Sequence, residues 1–223
     1  MMTTYFTAVI RLFALGTNLR YEQIGYEPRT PSGQLVVATH SALDLSAGHR
    51  HRGGHVFRNP CEAIVSAYHY DKWTAEIWAN TPDETGETYQ EKINRLSKHD
   101  GLFCAIDQFL LSYEDPCRQW NVSDPNILEL RFEDLMGPDR VREYFRVFEH
   151  LGFDDEEVEL GVELMIAFEA ANRTGRSDSG TRSHVRAKSS EQRRSELEPA
   201  HIAYIEERMG DIVTKFGYSL PTP

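Results

Sequence analysis

Two side chains in the first third of the chain have the types and the spacing needed to hold an anion. Arg58 follows an apolar run, Asn59 can cap a helix, and Pro60 suits the first helical position. Glu62 then completes a capping box, so the arginine is predicted at a strand-to-helix turn. Ser66 lies about two turns into that helix at 3.6 residues per turn. The guanidinium and the hydroxyl are candidate ligands of one phosphate, and the alternative is an ordinary surface arginine before a well-capped helix.

A second candidate for chemistry is His40. The apolar run at residues 34–39 is predicted to be a buried strand, and His40 follows it directly. Open α/β sheets bind their ligands at the carboxyl ends of strands. An imidazole ionises near neutral pH and suits the role of a general base, which contributes typically about 10²–10⁴-fold to a rate. The alternative is a histidine that is hydrogen-bonded in a turn.

The elements that must position these residues follow from the hydrophobic pattern. Short apolar runs at residues 34–39, 55–57 and 127–132 alternate with stretches of helical periodicity, which predicts a parallel sheet in an α/β layer. Residues 21–33 and 172–190 are predicted to be loops. The predicted helices are residues 3–15, ended by Gly16; two helices within 88–111, broken near Gly101; and residues 139–151, 154–171 and 199–216.

Composition and charge limit the class of protein. A chain of 223 residues is long enough for one α/β domain, which we place at 1–223. A net charge of −11 argues against non-specific binding to nucleic acid or to an anionic membrane. The apolar runs are too short for a membrane span, and no signal peptide is recognised. Three cysteines without metal or disulfide spacing indicate free thiols in a reducing compartment, so a cytoplasmic protein is predicted.

The segment from Arg58 to Tyr70 resembles a nucleotide-binding segment of the sulfotransferases that use 3′-phosphoadenosine 5′-phosphosulfate (PAPS). Both have Arg-Asn-Pro, an apolar stretch, a serine and an aromatic-His-aromatic run. In that family the arginine and the serine eight residues later hold the 3′-phosphate, and these positions are Arg58 and Ser66 here. The pair Thr39-His40 is similar to the Thr-His pair whose histidine is the family's general base. The resemblance implies a three-layer fold, with a parallel sheet between helices, akin to P-loop nucleotide kinases.

Three further sites match the family in part. Thr3-Thr4-Tyr5 resembles the end of its phosphosulfate loop, Lys-Ser/Ala-Gly-Thr-Thr-aromatic, but the lysine and the glycine are absent. We therefore expect the chain to lack the N-terminal strand and most of that loop, and the alternative is that the threonines merely begin a helix. Phe132 stands where the family has a tyrosine that contacts adenine, and Phe168 resembles a second adenine contact. A core aromatic is the alternative at Phe132.

Two basic segments complete the comparison. Residues 184–188 resemble the loop that closes on the 3′-phosphate, with Arg186 in the family's arginine position and Lys188 in place of a glycine. The alternative is a solvated charged loop. The run at residues 49–52 alternates histidine with arginine, and because arginines repel a cation we predict a solvated loop and no metal.

The resemblance implies sulfuryl transfer from PAPS to a hydroxyl or amine of a small-molecule acceptor, with His40 as the base and no metal. The alternative is a non-catalytic remnant that binds the desulfonated nucleotide, adenosine 3′,5′-bisphosphate (PAP), or another protein. Ala38, which replaces a lysine of many cytosolic members, favours that alternative, as do the missing loop lysine and the altered residues 186–188. A P-loop kinase is remote because the chain has no Walker A motif. The sequence leaves the acceptor and the oligomeric state open.

Overall fold

The computed structural model describes residues 2–25, 29–38, 43, 51–174 and 195–221, with the backbone alone at 2–5 and 170–174. Contacts between Cα atoms divide the chain into two compact units. The first unit comprises Met1–Phe57 and Asn121–Ser183, and the second comprises Arg58–Trp120 and His184–Pro223. The single domain expected from chain length stays a prediction.

The described part of the chain contains helices and strands in alternation. They are α1 (Met2–Gly16), β1 (Tyr21–Ile24), β2 (Leu35–Ala38), β3 (Gly53–Phe57), α2 (Pro60–Asp71), α3 (Ile77–Asn80), α4 (Tyr89–Arg95), α5 (Lys98–Gln119), β4 (Ile127–Arg131), α6 (Phe132–Leu135), α7 (Arg140–Leu151), α8 (Asp155–Thr174) and α9 (Pro199–Lys215). No helix in these described ranges is long and apolar enough to cross a membrane.

The strands form two small parallel sheets in the described residues. β1 pairs with β2, and β3 pairs with β4 in a register that sets Gly53 opposite Ile127 and Phe57 opposite Arg131. The predicted α/β class and the parallel pairing are therefore confirmed. The three-layer arrangement, with a parallel sheet between helices, stays a prediction.

β1 lies where the sequence predicted a loop. The Glu22 carboxylate accepts hydrogen bonds from the backbone N–H of Ser32, at 2.7 Å, and of Gly33, at 2.6 Å. These bonds hold the pKa of Glu22 below its usual range and bring the start of β2 beside β1. A Cβ on Gly33 would lie 2.7 Å from the Glu22 Cβ, so the close approach requires glycine. The loop prediction is wrong at residues 21–24, because hydrogen bonds across the connection outweigh its turn-forming composition.

The end of α1 also differs from its prediction. Gly16 belongs to the helix, and Asn18 adopts the left-handed conformation with φ 56°. The Leu19 N–H donates to the Ala14 carbonyl at 2.8 Å, the long bond of a Schellman cap. Asparagine tolerates this conformation better than most residues, so it takes the role that the sequence suggested for glycine.

The break between α4 and α5 lies at residues 96–97 rather than near Gly101. Ser97 caps α5, with its hydroxyl oxygen accepting from the Asp100 N–H at 3.1 Å. Gly101 lies inside α5, where a Cβ would come within 2.8 Å of the Tyr68 ring. The glycine therefore allows α5 to pack closely against α2 and does not end a helix.

The core of the first unit is formed where α1, α7 and α8 pack on the strands. The rings of Phe13 and Phe148 have centroids 4.9 Å apart. A Cβ on Gly161 would lie 2.5 Å from the Phe148 ring, so the glycine lets α8 approach α7. Burial of one such large apolar side chain contributes about 1.5–3 kcal/mol. The other buried members are Val9, Ile10, Ala14, Leu35, Leu130, Leu135, Tyr144, Val147, Val158, Val162 and Met165.

The second unit has its own core, formed by α2, α5 and α9. Lys215, the last residue of α9, donates to the carbonyls of Cys117 at 2.9 Å and Arg118 at 2.8 Å near the end of α5. A cation at a helix C-terminus satisfies carbonyls that have no partner within the helix. The buried apolar residues of these helices include Ile64, Val65, Tyr68, Leu102, Ile106, Ile202, Ile205 and Met209.

Candidate functional site

The predicted strand-to-helix turn is confirmed. Arg58 directly follows β3, and α2 begins at Pro60. The Asn59 side-chain oxygen accepts from the Cys61 N–H at 3.0 Å and caps the helix. The buried Asn59 is thus committed to the turn, and it fixes the direction in which the chain leaves the strand. Arg58 is held at the N-terminal end of a helix, where the helix dipole favours an anion.

Glu62 does not complete the predicted capping box. Its carboxylate is fully buried, with Oε2 3.9 Å from Nη2 of Arg58, whose side chain is 23% exposed. Asn59 caps the helix through its bond from the Cys61 N–H, and the Glu62 carboxylate lies beside the guanidinium instead. The candidate phosphate ligand therefore has a buried counter-charge at its side.

Ser66 lies in the middle of α2 and is half-buried. Glu62 and Ser66 are four residues apart and so occupy the same face of the helix. At 1.5 Å per residue, Ser66 is about 6 Å farther along the axis than Glu62. An anion held by both Arg58 and Ser66 must extend past the position of Glu62.

The two candidate adenine contacts lie in the first unit. Phe132 begins α6 directly after β4 and is half-buried. Phe168, on α8, packs against the first-unit core and is also half-buried. Since Phe57 pairs with Arg131, β3 and β4 end at the same edge of their sheet, and Phe132 directly follows the end of β4.

Several predicted site residues lie outside the described part of the chain. These are His40, with its neighbour Thr39, and Arg186 and Lys188 of the basic segment. β2 ends at Ala38, two residues before the candidate base. The backbone of Thr3, Thr4 and Tyr5 lies in the first turns of α1, and their side chains are outside the description.

The described half of the histidine–arginine run, His51 and Arg52, lies outside the helices and strands and makes contacts distant in sequence. His51 Nε2 is 3.6 Å from the Asp124 carboxylate, and Arg52 donates to the His150 carbonyl at 3.4 Å. A Cβ on Gly152, which has φ 88°, would lie 2.7 Å from the Arg52 guanidinium. These contacts do not contradict the predicted solvated loop, because both residues lie outside the helices and strands and Arg52 is exposed.

One group of side chains in the described residues has the composition of a metal site: His99, Glu198 and His201. His201 is fully buried, and its Nδ1 accepts from the Glu198 N–H at 3.0 Å. Its Nε2 lies 2.9 Å from the His99 carbonyl and must donate to it. Both ring nitrogens are engaged, so His201 has no lone pair left for a cation. This group does not fit a metal.

Sequence reasoning missed a buried acid at the other end of α2. Asp71 is 4% exposed, and burial, with Glu76 nearby, raises its pKa to about 7. The spacing of Ile64, Tyr68 and Asp71 was the available signal, because it places the acid on the buried stripe of the helix. A carboxyl group in that stripe is expected to bind its proton more tightly than an exposed one.

An aromatic cluster lies between the last turn of α2 and the first turn of α4. Glu76 accepts from the Tyr70 hydroxyl at 2.7 Å and from the Trp78 Nε1 at 2.5 Å. The Trp78 and Tyr89 rings have centroids 5.4 Å apart, and Ile77 is 84% exposed. The cluster offers an apolar surface beside the helix that carries Ser66.

Comparisons with known proteins add no relative. No protein-family model, no curated protein and no solved structure matches the chain. The resemblance to sulfotransferases therefore depends on the sequence motifs named above.

Proposed function

We propose that the chain is a sulfotransferase that transfers a sulfuryl group from PAPS to a hydroxyl or amine of a small-molecule acceptor. The observation that supports it most is the placement of Arg58. This partly exposed guanidinium follows a parallel strand directly and precedes a helix that Asn59 caps. Guanidinium groups bind phosphate through paired charge-assisted hydrogen bonds, and helix N-termini stabilise anions.

The proposed donor site extends from Arg58 and Ser66, which hold the 3′-phosphate. The resemblance also implies that Phe132 contacts the adenine, and we propose it in that role. The remaining donor ligands are proposed from the resemblance alone: Thr3, Thr4 and Tyr5 near the phosphosulfate and adenine, Phe168 at the adenine, and Arg186 and Lys188 at the 3′-phosphate.

In the proposed reaction His40 removes the proton from the acceptor hydroxyl. The acceptor oxygen attacks the sulfur atom while the bond from sulfur to the 5′-phosphate oxygen breaks, and PAP leaves with both electrons of that bond. The transfer is an in-line displacement, so positioning and electrostatic stabilisation supply most of the acceleration. The reaction needs no metal.

From the same resemblance we propose a three-layer fold akin to that of P-loop nucleotide kinases. Two parallel strand pairs and the order of strands and helices support it. The free thiols Cys61, Cys104 and Cys117 support a cytoplasmic site of action, since disulfides are rare in reducing compartments.

Calorimetry with PAP tests the donor site. A charge-assisted hydrogen bond is worth about 1.5–3 kcal/mol, so Arg58→Ala should weaken PAP binding by roughly one to two decades. Arg95→Ala is the matched control, because Arg95 also lies in the second unit and also pairs with a carboxylate, that of Glu87. If both variants bind PAP like the parent protein, the proposed function loses its main support.

A non-catalytic PAP-binding protein is the second candidate. The end of β2 favours it, because Ala38 offers no cation where many members of the family have one. Incubation with labelled PAPS and a panel of phenols, alcohols, amines and sugars separates the two candidates. PAP binding without transfer to any acceptor supports the second, and labelled product supports the enzyme.

A further inference from the structure

Arg58 lies beside Glu62, an acid that the sequence predicted to complete a helix capping box. The Glu62 carboxylate is fully buried and lies 3.9 Å from the guanidinium, which is itself partly exposed. Helix capping does not need this carboxylate, because Asn59 makes the cap of α2.

Burial of a carboxylate is unfavourable unless nearby charges or hydrogen bonds compensate for lost hydration. The helix dipole favours an acid in the first turn, but an exposed acid would gain from it as well. Arg58, the residue that we propose as a phosphate ligand, is a positive charge beside Glu62. The two acidic groups, carboxylate and phosphate ester, would then share one cation.

We infer that Glu62 limits how tightly Arg58 holds a phosphate ester, an inference that rests on the proposed function. Like charges repel strongly in partly buried sites, where the effective dielectric constant is about 20. Glu62 acts through Arg58 and is a charge-balancing, positioning residue. Its effect on a sulfotransferase is to prevent the product nucleotide from being retained at the 3′-phosphate.

The variant Glu62→Gln removes the charge and keeps the shape of the side chain. We expect its dissociation constant for PAP to fall at least tenfold. Binding of adenosine 5′-monophosphate, which lacks the 3′-phosphate, should not change. Glu62→Asp keeps the charge and should give no gain. Asp71→Asn is the matched control, since it removes another buried acid from the same helix at the end far from Arg58.

Arg58→Gln and the double variant separate the two hypotheses. If Arg58→Gln leaves PAP affinity unchanged, the proposed donor site is wrong and the inference fails with it. If Arg58→Gln weakens PAP binding but Glu62→Gln does not strengthen it, the inference alone is wrong. In the double variant the gain from Glu62→Gln should disappear, because the coupling runs through the guanidinium.

A structural role for Glu62 predicts a different pattern. Loss of packing would weaken binding of PAP and of adenosine 5′-monophosphate together and lower the thermal unfolding temperature. Glu62→Met, which is neutral and similar in volume, provides a second neutral variant if Glu62→Gln does not fold. Tighter PAP binding in either neutral variant supports the inference, and equal or weaker PAP binding in a folded neutral variant overturns it.

Discussion

At the scale of single residues, Asp71 shows how burial changes the chemistry of an acid. Its carboxyl group lies among Glu76, Tyr89 and the end of α2, and its pKa is raised to about 7 chiefly by burial. An unfolded aspartate has a pKa of about 3.9. The folded protein therefore binds more protons than the unfolded chain between those two values, so the free energy of unfolding must fall as pH rises through that window.

We expect the Asp71 contribution to stability to decrease by about 3 kcal/mol between pH 4 and pH 7. Urea unfolding at pH 5, 6, 7 and 8 measures the trend. Asp71→Asn should flatten it and should be more stable than the parent at pH 8. Asp115→Asn, an exposed acid of α5, is the control and should follow the parent curve. Parallel curves for all three proteins would contradict the raised pKa.

His40 is the residue on which the catalytic proposal depends. His40→Ala should lower turnover by at least about two decades and leave PAP affinity unchanged, because a general base acts in the transition state and not in donor binding. Single-turnover rates with labelled PAPS measure the effect. His99→Ala, at an exposed histidine of the second unit, serves as control. Equal rates for His40→Ala and the parent would remove the assignment.

The candidate site was predictable from sequence only where its interactions are local. Asn59 and Pro60 mark the start of α2 through bonds within four residues, and the prediction there is confirmed. Glu62 was misread because the same acid can serve a cap or a neighbouring cation, and only geometry decides. Asp71 was missed because its raised pKa depends on burial in the folded chain and on Glu76 in the segment after α2. The role of His40 stays a prediction.

At the scale of elements, Glu157 in α8 and Glu62 in α2 differ in their contacts, although each lies three residues after the capping residue of its helix. Asp154 and Glu157 exchange hydrogen bonds at the start of α8, with the Glu157 N–H donating at 3.0 Å and the Asp154 N–H at 3.2 Å. That end is exposed, so the acid is free to fold back. At α2 the equivalent acid is buried beside Arg58. Both helices have a capping side chain before the first turn, but of the two only α8 has the reciprocal bond from the acid three residues later.

Two helical glycines, Gly101 and Gly210, also differ in their surroundings, and they give a paired test of helix packing. Gly101→Ala introduces a Cβ 2.8 Å from the Tyr68 ring and should destabilise the protein by about 1–3 kcal/mol. Gly210→Ala in α9 meets only the Glu206 side chain at 3.7 Å and should stabilise by about 0.5–1 kcal/mol, the gain in helix propensity. Urea unfolding of both variants measures the difference. Equal effects would mean that α5 and α2 are not in close contact.

At the scale of the whole molecule, the sequence predicted parallel strands but not their partners. Strand pairing joins β3 to β4 across about 70 residues, and no local pattern encodes such a choice. β1 was missed for a related reason. The Glu22 carboxylate accepts hydrogen bonds from the backbone of Ser32 and Gly33, ten and eleven residues later, and the local sequence does not reveal these bonds. The helices were easier because a 3.6-residue period is visible within each of them.

The two units offer a test of cooperativity. The chain passes from one unit to the other after Phe57, Trp120 and Ser183, so neither unit is a continuous segment. We expect one unfolding transition, as for a single domain. All three tryptophans, Trp73, Trp78 and Trp120, belong to the second unit and report on it alone.

Phe148→Ala provides the perturbation, because it opens a cavity in the core of the first unit and should cost about 3–5 kcal/mol. If the protein is one cooperative domain, the midpoint of tryptophan fluorescence in the second unit should fall together with that of the helical circular dichroism. A fluorescence midpoint that does not move would show two separately unfolding domains.

The hydrogen bonds of His201 should make its two ring nitrogens distinguishable by nitrogen-15 NMR. One nitrogen accepts from a backbone amide and the other donates to a backbone carbonyl, so a single tautomer is fixed. In a nitrogen-15 spectrum His201 should show one pyridine-type and one pyrrole-type resonance rather than the averaged pair of an exposed histidine. The pyrrole-type proton should exchange slowly with solvent, which makes it a natural probe of α9 during ligand titrations.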